Sequence, residues 1–273
     1  MEKATKKSST GGFMAVAAFA AMYAIGLIYM LFVYPAAGAK IDFWAEWLIR
    51  YAVIFGLGIP AFLFISRKAP SENMSVAIKI GGGKFFKYLM LALGAATAGG
   101  ALGNVIISAV SGASIEDAPD YFGGGSIAGA FLFLCIVPPA LEELFFRKIL
   151  LQRLSAYGSG AAVLGTALAF AVYHTLLTYA QILHVFLLGI VFAYIILRTK
   201  NIVYTIALHS LVNLWSVFNT RLSPVLPDPL PLVIPLAILP IMICFIVILI
   251  ANRKKLINGL KNILKNKPVA EWL

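Results

Sequence analysis

Charge is what this sequence has least of. Charged residues make up 12% of the 273 positions against 61% hydrophobic ones, and only 11 residues are acidic. A chain so poor in charge cannot clothe itself in a wetted surface, which excludes a soluble globular fold and leaves no room for an appended soluble domain. Cysteine is nearly missing as well. Cys135 and Cys244 both lie inside apolar runs, so a disulfide framework is excluded and both read as buried thiols. Only three histidines occur, none of them in an HExxH pair, and neither internal repeats nor low-complexity tracts are evident. The one charge in excess is positive, +11 net. It is dispersed over short loops and the tail, which argues against nucleic acid and for lipid headgroups.

What is present is a series of apolar runs of membrane-spanning length. The spacing predicts an all-α, polytopic membrane bundle of about eight transmembrane helices. They cover residues 13–33, 43–65, 88–110, 126–148, 160–177, 182–197, 203–218 and 230–250. The first run is too long for a signal peptide. The third is rich in Gly and Ala, which favours close helix packing. The tail, 252–267, repeats Lys and Arg with Leu256, Leu260, Ile263 and Leu264 at helical spacing, the pattern of a basic amphipathic helix on the inner leaflet. Lys/Arg-rich connections alternate with poor or acidic ones along the whole chain. This places an integral protein in the plasma membrane with both termini cytoplasmic. Three regions follow: N-terminal spans and an acidic loop over 1–125, a catalytic core over 126–218, and a last span with the basic tail over 219–273.

The stretch VPPALEELFFRKIL, residues 137–150, sets two adjacent carboxylates inside an apolar run. An ionised carboxylate in hydrocarbon costs about 3 kcal/mol even on lenient insertion scales, so such groups mark a polar cavity, a partner charge or chemistry. Glu143 and Arg147 stand at i,i+4, a good ion-pair geometry. Glu142 points about a quarter-turn away, with no local partner, toward Phe145 and Phe146, which would keep a site dry. One acid reads as structural and the other as free to work.

Three further polar constellations follow, Phe170-x-x-x-His174, His209-x-x-x-Asn213 and His184 alone. A lone intramembrane His is as readily a satisfied interhelical hydrogen bond as a functional group, and His184, without a polar partner at helical spacing, takes that bland reading. His209 with Asn213 offers a titratable group and an amide on one face, suited to holding a polar ligand or an oxyanion. Measured from a cytoplasmic interface near Arg147 and Asn201, Glu142 lies ~8 Å deep, His209 ~12 Å and Asn213 ~18 Å. His174 comes level if the fourth helix continues through Leu154 into the cytoplasm and the fifth starts outside the membrane. The same shift implies that the hairpin of the fifth and sixth segments does not fully cross.

In that order, EExxxR (Glu142, Glu143, Arg147), FxxxH (Phe170, His174) and HxxxN (His209, Asn213) resemble the CAAX-protease and bacteriocin-processing family of intramembrane proteases. The resemblance covers about residues 138–215; Lys148 departs from the Gly that many members carry after the Arg. It implies an endopeptidase cutting near the cytoplasmic face. Glu142 would be general base on a water, His174 would orient that water or share the base role, and His209 and Asn213 would hold the oxyanion. Glu143, Arg147 and Phe170 would support them. Substrates would be peptides or lipidated peptides, since eukaryotic members trim prenylated tails and many bacterial ones are linked to bacteriocin maturation or immunity. The family is often labelled metalloprotease. Glu142, His174 and His209 could bind zinc, but a catalytic zinc also needs a separate base, and Glu143 would have to leave Arg147 to serve. The expectation is therefore catalysis without a metal cofactor, with zinc or another divalent ion as the alternative. A proton-coupled transporter using Glu142 and the histidines, and an idle immunity or scaffold protein, are the rival classes. The paired broken helices of a transporter are not seen.

Overall fold

The computed structural model describes residues 2–37, 40–72, 76–111, 125–176, 182–222, 226–227 and 229–265. Among them every regular element is helical. Six helices are long and apolar enough to cross a membrane: α1 (Gly11–Ala36), α2 (Phe43–Ile65), α3 (Gly82–Val110), α4 (Ile127–Ser155), α6 (Ile182–Thr199) and α7 (Ile202–Thr220). Between α4 and α6 lies a shorter apolar helix, α5 (Ala161–His174). After α7 come α8 (Val233–Ala251) and α9 (Arg253–Leu264), bent by 69° at Asn252, which make a seventh span if taken together. The chain is an integral membrane protein and a polytopic helical bundle, with six or seven candidate spans among the described residues where the spacing predicts about eight. At 1.5 Å per residue α5 is about 20 Å long, short of the ~30 Å hydrocarbon core.

Polar side chains start the helices where the apolar runs begin. Asp42 accepts from the backbone N–H groups of Trp44 and Ala45 (2.9 and 3.1 Å), Ser126 from Gly129 (3.1 Å) and Asn201 from Val203 (3.0 Å). Two glycines set how closely helices pack. A Cβ on Gly99 of α3 would come within 2.8 Å of the His184 backbone, and one on Gly189 of α6 within 2.8 Å of Ala167 Cα. Those approaches bring α3, α5 and α6 together around one apolar cluster that also takes in α7 and α8; a second cluster joins α1, α2, α4 and α5. The functional residues lie along the seam between the two.

The basic connections gather at one end of the bundle. Arg153 donates to the Ala69 carbonyl, the Glu72 N–H to the Gln152 carbonyl (2.9 Å) and the Ile78 N–H to that of Thr199 (2.6 Å). At the opposite end Trp44 packs against Gly125 and Gly129, just after the acidic stretch. Helix α5 does not reach that far. Tyr23 and Thr175 hydrogen-bond at 2.6 Å near its tip, and α1 runs on for about another 20 Å beyond Tyr23.

Candidate active site

Helix α4 departs from α-helical pairing on both sides of its carboxylates. Its hydrogen bonding widens to the π type over Phe131–Ile136 and Leu144–Leu150, flanking Val137–Glu143. Such widenings recur at functional sites because they free backbone groups and re-aim side chains. Pro138 adds to this. It has no N–H to offer the carbonyl four residues back, that of Leu134, and Asn213 Nδ2 on α7 donates to that oxygen at 2.7 Å. The amide of Asn213 thus ties α7 to the break in α4.

The structure brings Glu142, His174 and His209 together. Glu142 Oε2 lies 4.0 Å from His174 Nε2 and 3.8 Å from His209 Nε2, and the carboxylate is 2% exposed. Each imidazole is fixed from behind by its other nitrogen. His174 Nδ1 donates to the Phe170 carbonyl at 2.8 Å, one turn back on α5. His209 Nδ1 donates to Glu143 Oε1 at 3.1 Å. Carbonyl and carboxylate oxygens only accept, so in the neutral rings both Nε2 atoms carry a lone pair, and both lone pairs face Glu142. Gaps of 3.8–4.0 Å are too long for direct hydrogen bonds and suit one bridging water.

Glu143 and Arg147 form the support behind His209. Their closest approach is 3.3 Å, and both are fully buried. The remaining guanidinium charge faces aromatic rings, Phe170 at 4.8 Å, Phe192 at 5.8 Å and Phe146 at 5.9 Å. Among the described residues the three guanidinium nitrogens have no hydrogen-bond acceptor. Phe170 is a wedge among four groups. Its ring meets His174 edge-on at 4.5 Å, His209 at 5.8 Å, Phe146 at 5.0 Å and the face of Arg147.

A cavity of about 100 Å³ opens beside Glu142. Its walls carry His174, His209 and Asn213, and also His184, Trp47, Tyr51, Ser216 and Thr220. His184 therefore faces the site. Its own helix offers no polar partner, and only the packing of α6 on Gly99 and Gly100 shows where it points. Trp47 and Tyr51 of α2 carried no sequence signal beyond aromatic character.

Two imidazole nitrogens and a carboxylate are the donor types of a catalytic zinc site. As they stand, no trio of His, Cys, Asp or Glu among the described residues has metal-ligand spacing. The residues fit a metal in kind and not in position, so no step is derived through one.

Fold and site define a helical membrane protein with a buried Glu/His centre reached by a cavity. Residues 124–215 match the family model described as type II CAAX prenyl endopeptidase Rce1-like. The three motifs all fall inside the matched segment, and the family they resemble is the one this match identifies. The match supports a peptidase. No curated protein and no solved structure matches the chain.

Proposed function

We propose that this protein is an intramembrane endopeptidase that hydrolyses a peptide bond with a water activated by Glu142. The observation that carries the reading is the convergence of the Glu142 carboxylate and two outward-facing imidazole lone pairs, each ring held by a hydrogen bond on its far side. A water between them gives a proton to Glu142, and its oxygen attacks the scissile carbonyl. The resulting oxyanion needs donors. Asn213 spends one amide N–H on Leu134 and has a second to offer. His209 donates as well when it enters the cycle carrying a second proton, taken from solvent, on Nε2, with its positive charge backed by Glu143. Glu142 then returns its proton to the leaving nitrogen as the C–N bond breaks. Burial of the site strengthens each of these interactions by excluding bulk water.

The base assignment also favours chemistry without a metal. A metal on Glu142 would need Glu143 as base, and Glu143 is held by both His209 and Arg147. Substrates are peptide or lipidated peptide, the lipid being accommodated by the surrounding bilayer. The protein sits in the plasma membrane with both termini cytoplasmic, and α9 lies along the inner leaflet through Lys254 and Lys255. The test is hydrolysis of quenched fluorogenic peptides, plain and prenylated, by purified protein in nanodiscs. Hydrolysis that survives a strong chelator and is abolished in His174→Ala supports the proposal. Absence of hydrolysis of every peptide, or activity that zinc alone restores after chelation, contradicts it.

A further inference from the structure

The cavity has a direction. Phe170, packed on Phe146 and Arg147, floors the cavity, and the other wall residues lie level with Glu142 or on its side away from the basic loops. On α4 the wall is Leu134, Pro138 and Glu142, and on α7 it continues from His209 past Asn213 to Ser216 and Thr220. Helix α2 contributes Trp47 and Tyr51 from its first turns, the half of α2 at that same end. Toward the basic end the space is closed. Phe145, Phe146, Arg147, Leu151 and Val163 are all fully buried there. Along the side away from it Asn213, Ser216 and Thr220 stand at i, i+3 and i+7 on α7, and the last two are exposed among the described residues. They form a polar edge on an otherwise apolar passage. The basic loops mark the cytoplasmic end.

We propose that the substrate reaches Glu142 from the extracytoplasmic half of the membrane, as an extended, mainly apolar stretch of a membrane-inserted polypeptide. This deepens the peptidase reading and rests on it. The chemistry of the passage fits such a segment. Trp47, Leu134, Val185, Leu188 and Val217 receive apolar side chains. The Ser216 hydroxyl, and the acceptor lone pairs of Thr220, whose own O–H donates to the Ser216 carbonyl at 3.0 Å, meet backbone groups that a peptide unwound in hydrocarbon would otherwise leave unpaired. A cytoplasmic tail would have to displace the aromatic and Arg147 layer to reach the same carboxylate.

The test is one of accessibility and requires no catalysis. In full-length protein lacking Cys135 and Cys244, cysteines are introduced as Ser216→Cys and Val217→Cys, with Lys255→Cys as the cytoplasmic reference. Val217 is 2% exposed and lines the cavity, so a reagent reaches it only through the passage. A membrane-impermeant maleimide is applied to right-side-out and to inverted vesicles. The expected result is modification of both cavity cysteines in the orientation that leaves Lys255→Cys unmodified. Modification in the same orientation as Lys255→Cys, or in neither, overturns the proposal. A second arm compares single-span model substrates whose apolar cleavage segment ends outside or in the cytoplasm. Preferred cleavage of the first supports the proposal, and preferred cleavage of the second overturns it. Failure to cleave either, with outward accessibility retained, overturns the peptidase reading and the substrate assignment while leaving the direction of the cavity.

Discussion

Glu143→Gln separates the two neighbouring carboxylates most sharply. Arg147 is fully buried and has its ion partner in Glu143 at 3.3 Å. Its remaining surroundings are the rings of Phe146, Phe170 and Phe192. Removing the negative charge leaves a guanidinium in an apolar interior, and breaking a buried pair in this way costs about 3–5 kcal/mol. The aromatic faces offset only about 2 kcal/mol and do so in the parent and in Glu143→Gln alike, so they do not cancel the loss. Set against a typical stability of about 5–15 kcal/mol, the change is large. The assay is thermal unfolding in detergent, followed by recovery of folded protein on size exclusion. Glu143→Gln is expected to unfold well below the parent; what folds keeps activity, reduced further only by the weaker charge behind His209. The double variant Glu143→Gln/Arg147→Met should recover much of the stability, because replacing both partners with neutral groups of similar volume is often neutral. A Glu143→Gln protein as stable as the parent would refute the reasoning, as would a double variant worse than the single.

Asn213→Ala leaves the Leu134 carbonyl without its donor, at about 1–3 kcal/mol, and should also slow turnover; a folded variant with unchanged kcat would remove Asn213 from the oxyanion role. Phe170→Ala takes out the wedge between His174, His209 and Arg147, for which about 3–5 kcal/mol of stability loss is expected, measured by the same unfolding assay. Purified protein should hold well under one zinc per chain by elemental analysis and keep its activity in chelator. Reporters at Gly125 and Asp228 should fall outside the cell and one at Gly158 inside; the reverse pattern would invert the orientation.

How much of this was legible in the sequence depends on how local each interaction is. The Glu143–Arg147 spacing is a single helical turn, and one helix suffices to read it. The hydrogen bond from His209 to Glu143 joins residues 66 apart in sequence and depends on how α7 packs on α4. The Asn213 bond to Leu134 left a trace, because Pro138 announces a carbonyl without its N–H, but nothing local names the donor. His184 shows the limit of judging a side chain by its own helix. No polar neighbour lies at helical spacing, yet the glycines of α3 let α6 approach until the ring faces the cavity. The short α5 was legible only through depth, from the level at which His174 must meet Glu142. Hydropathy alone does not show it, because apolar composition continues past His174.

The central claim is that Glu142 is the base and Glu143 is not, and Glu142→Gln tests it directly. The substitution keeps size and hydrogen-bonding capacity and removes the proton acceptor, so the turnover rate should fall ~10²–10⁴-fold while thermal unfolding stays at the parent value. A Glu142→Gln enzyme that turns over peptide at the parent rate would contradict the account, most decisively if a folded Glu143→Gln protein proved inactive beside it.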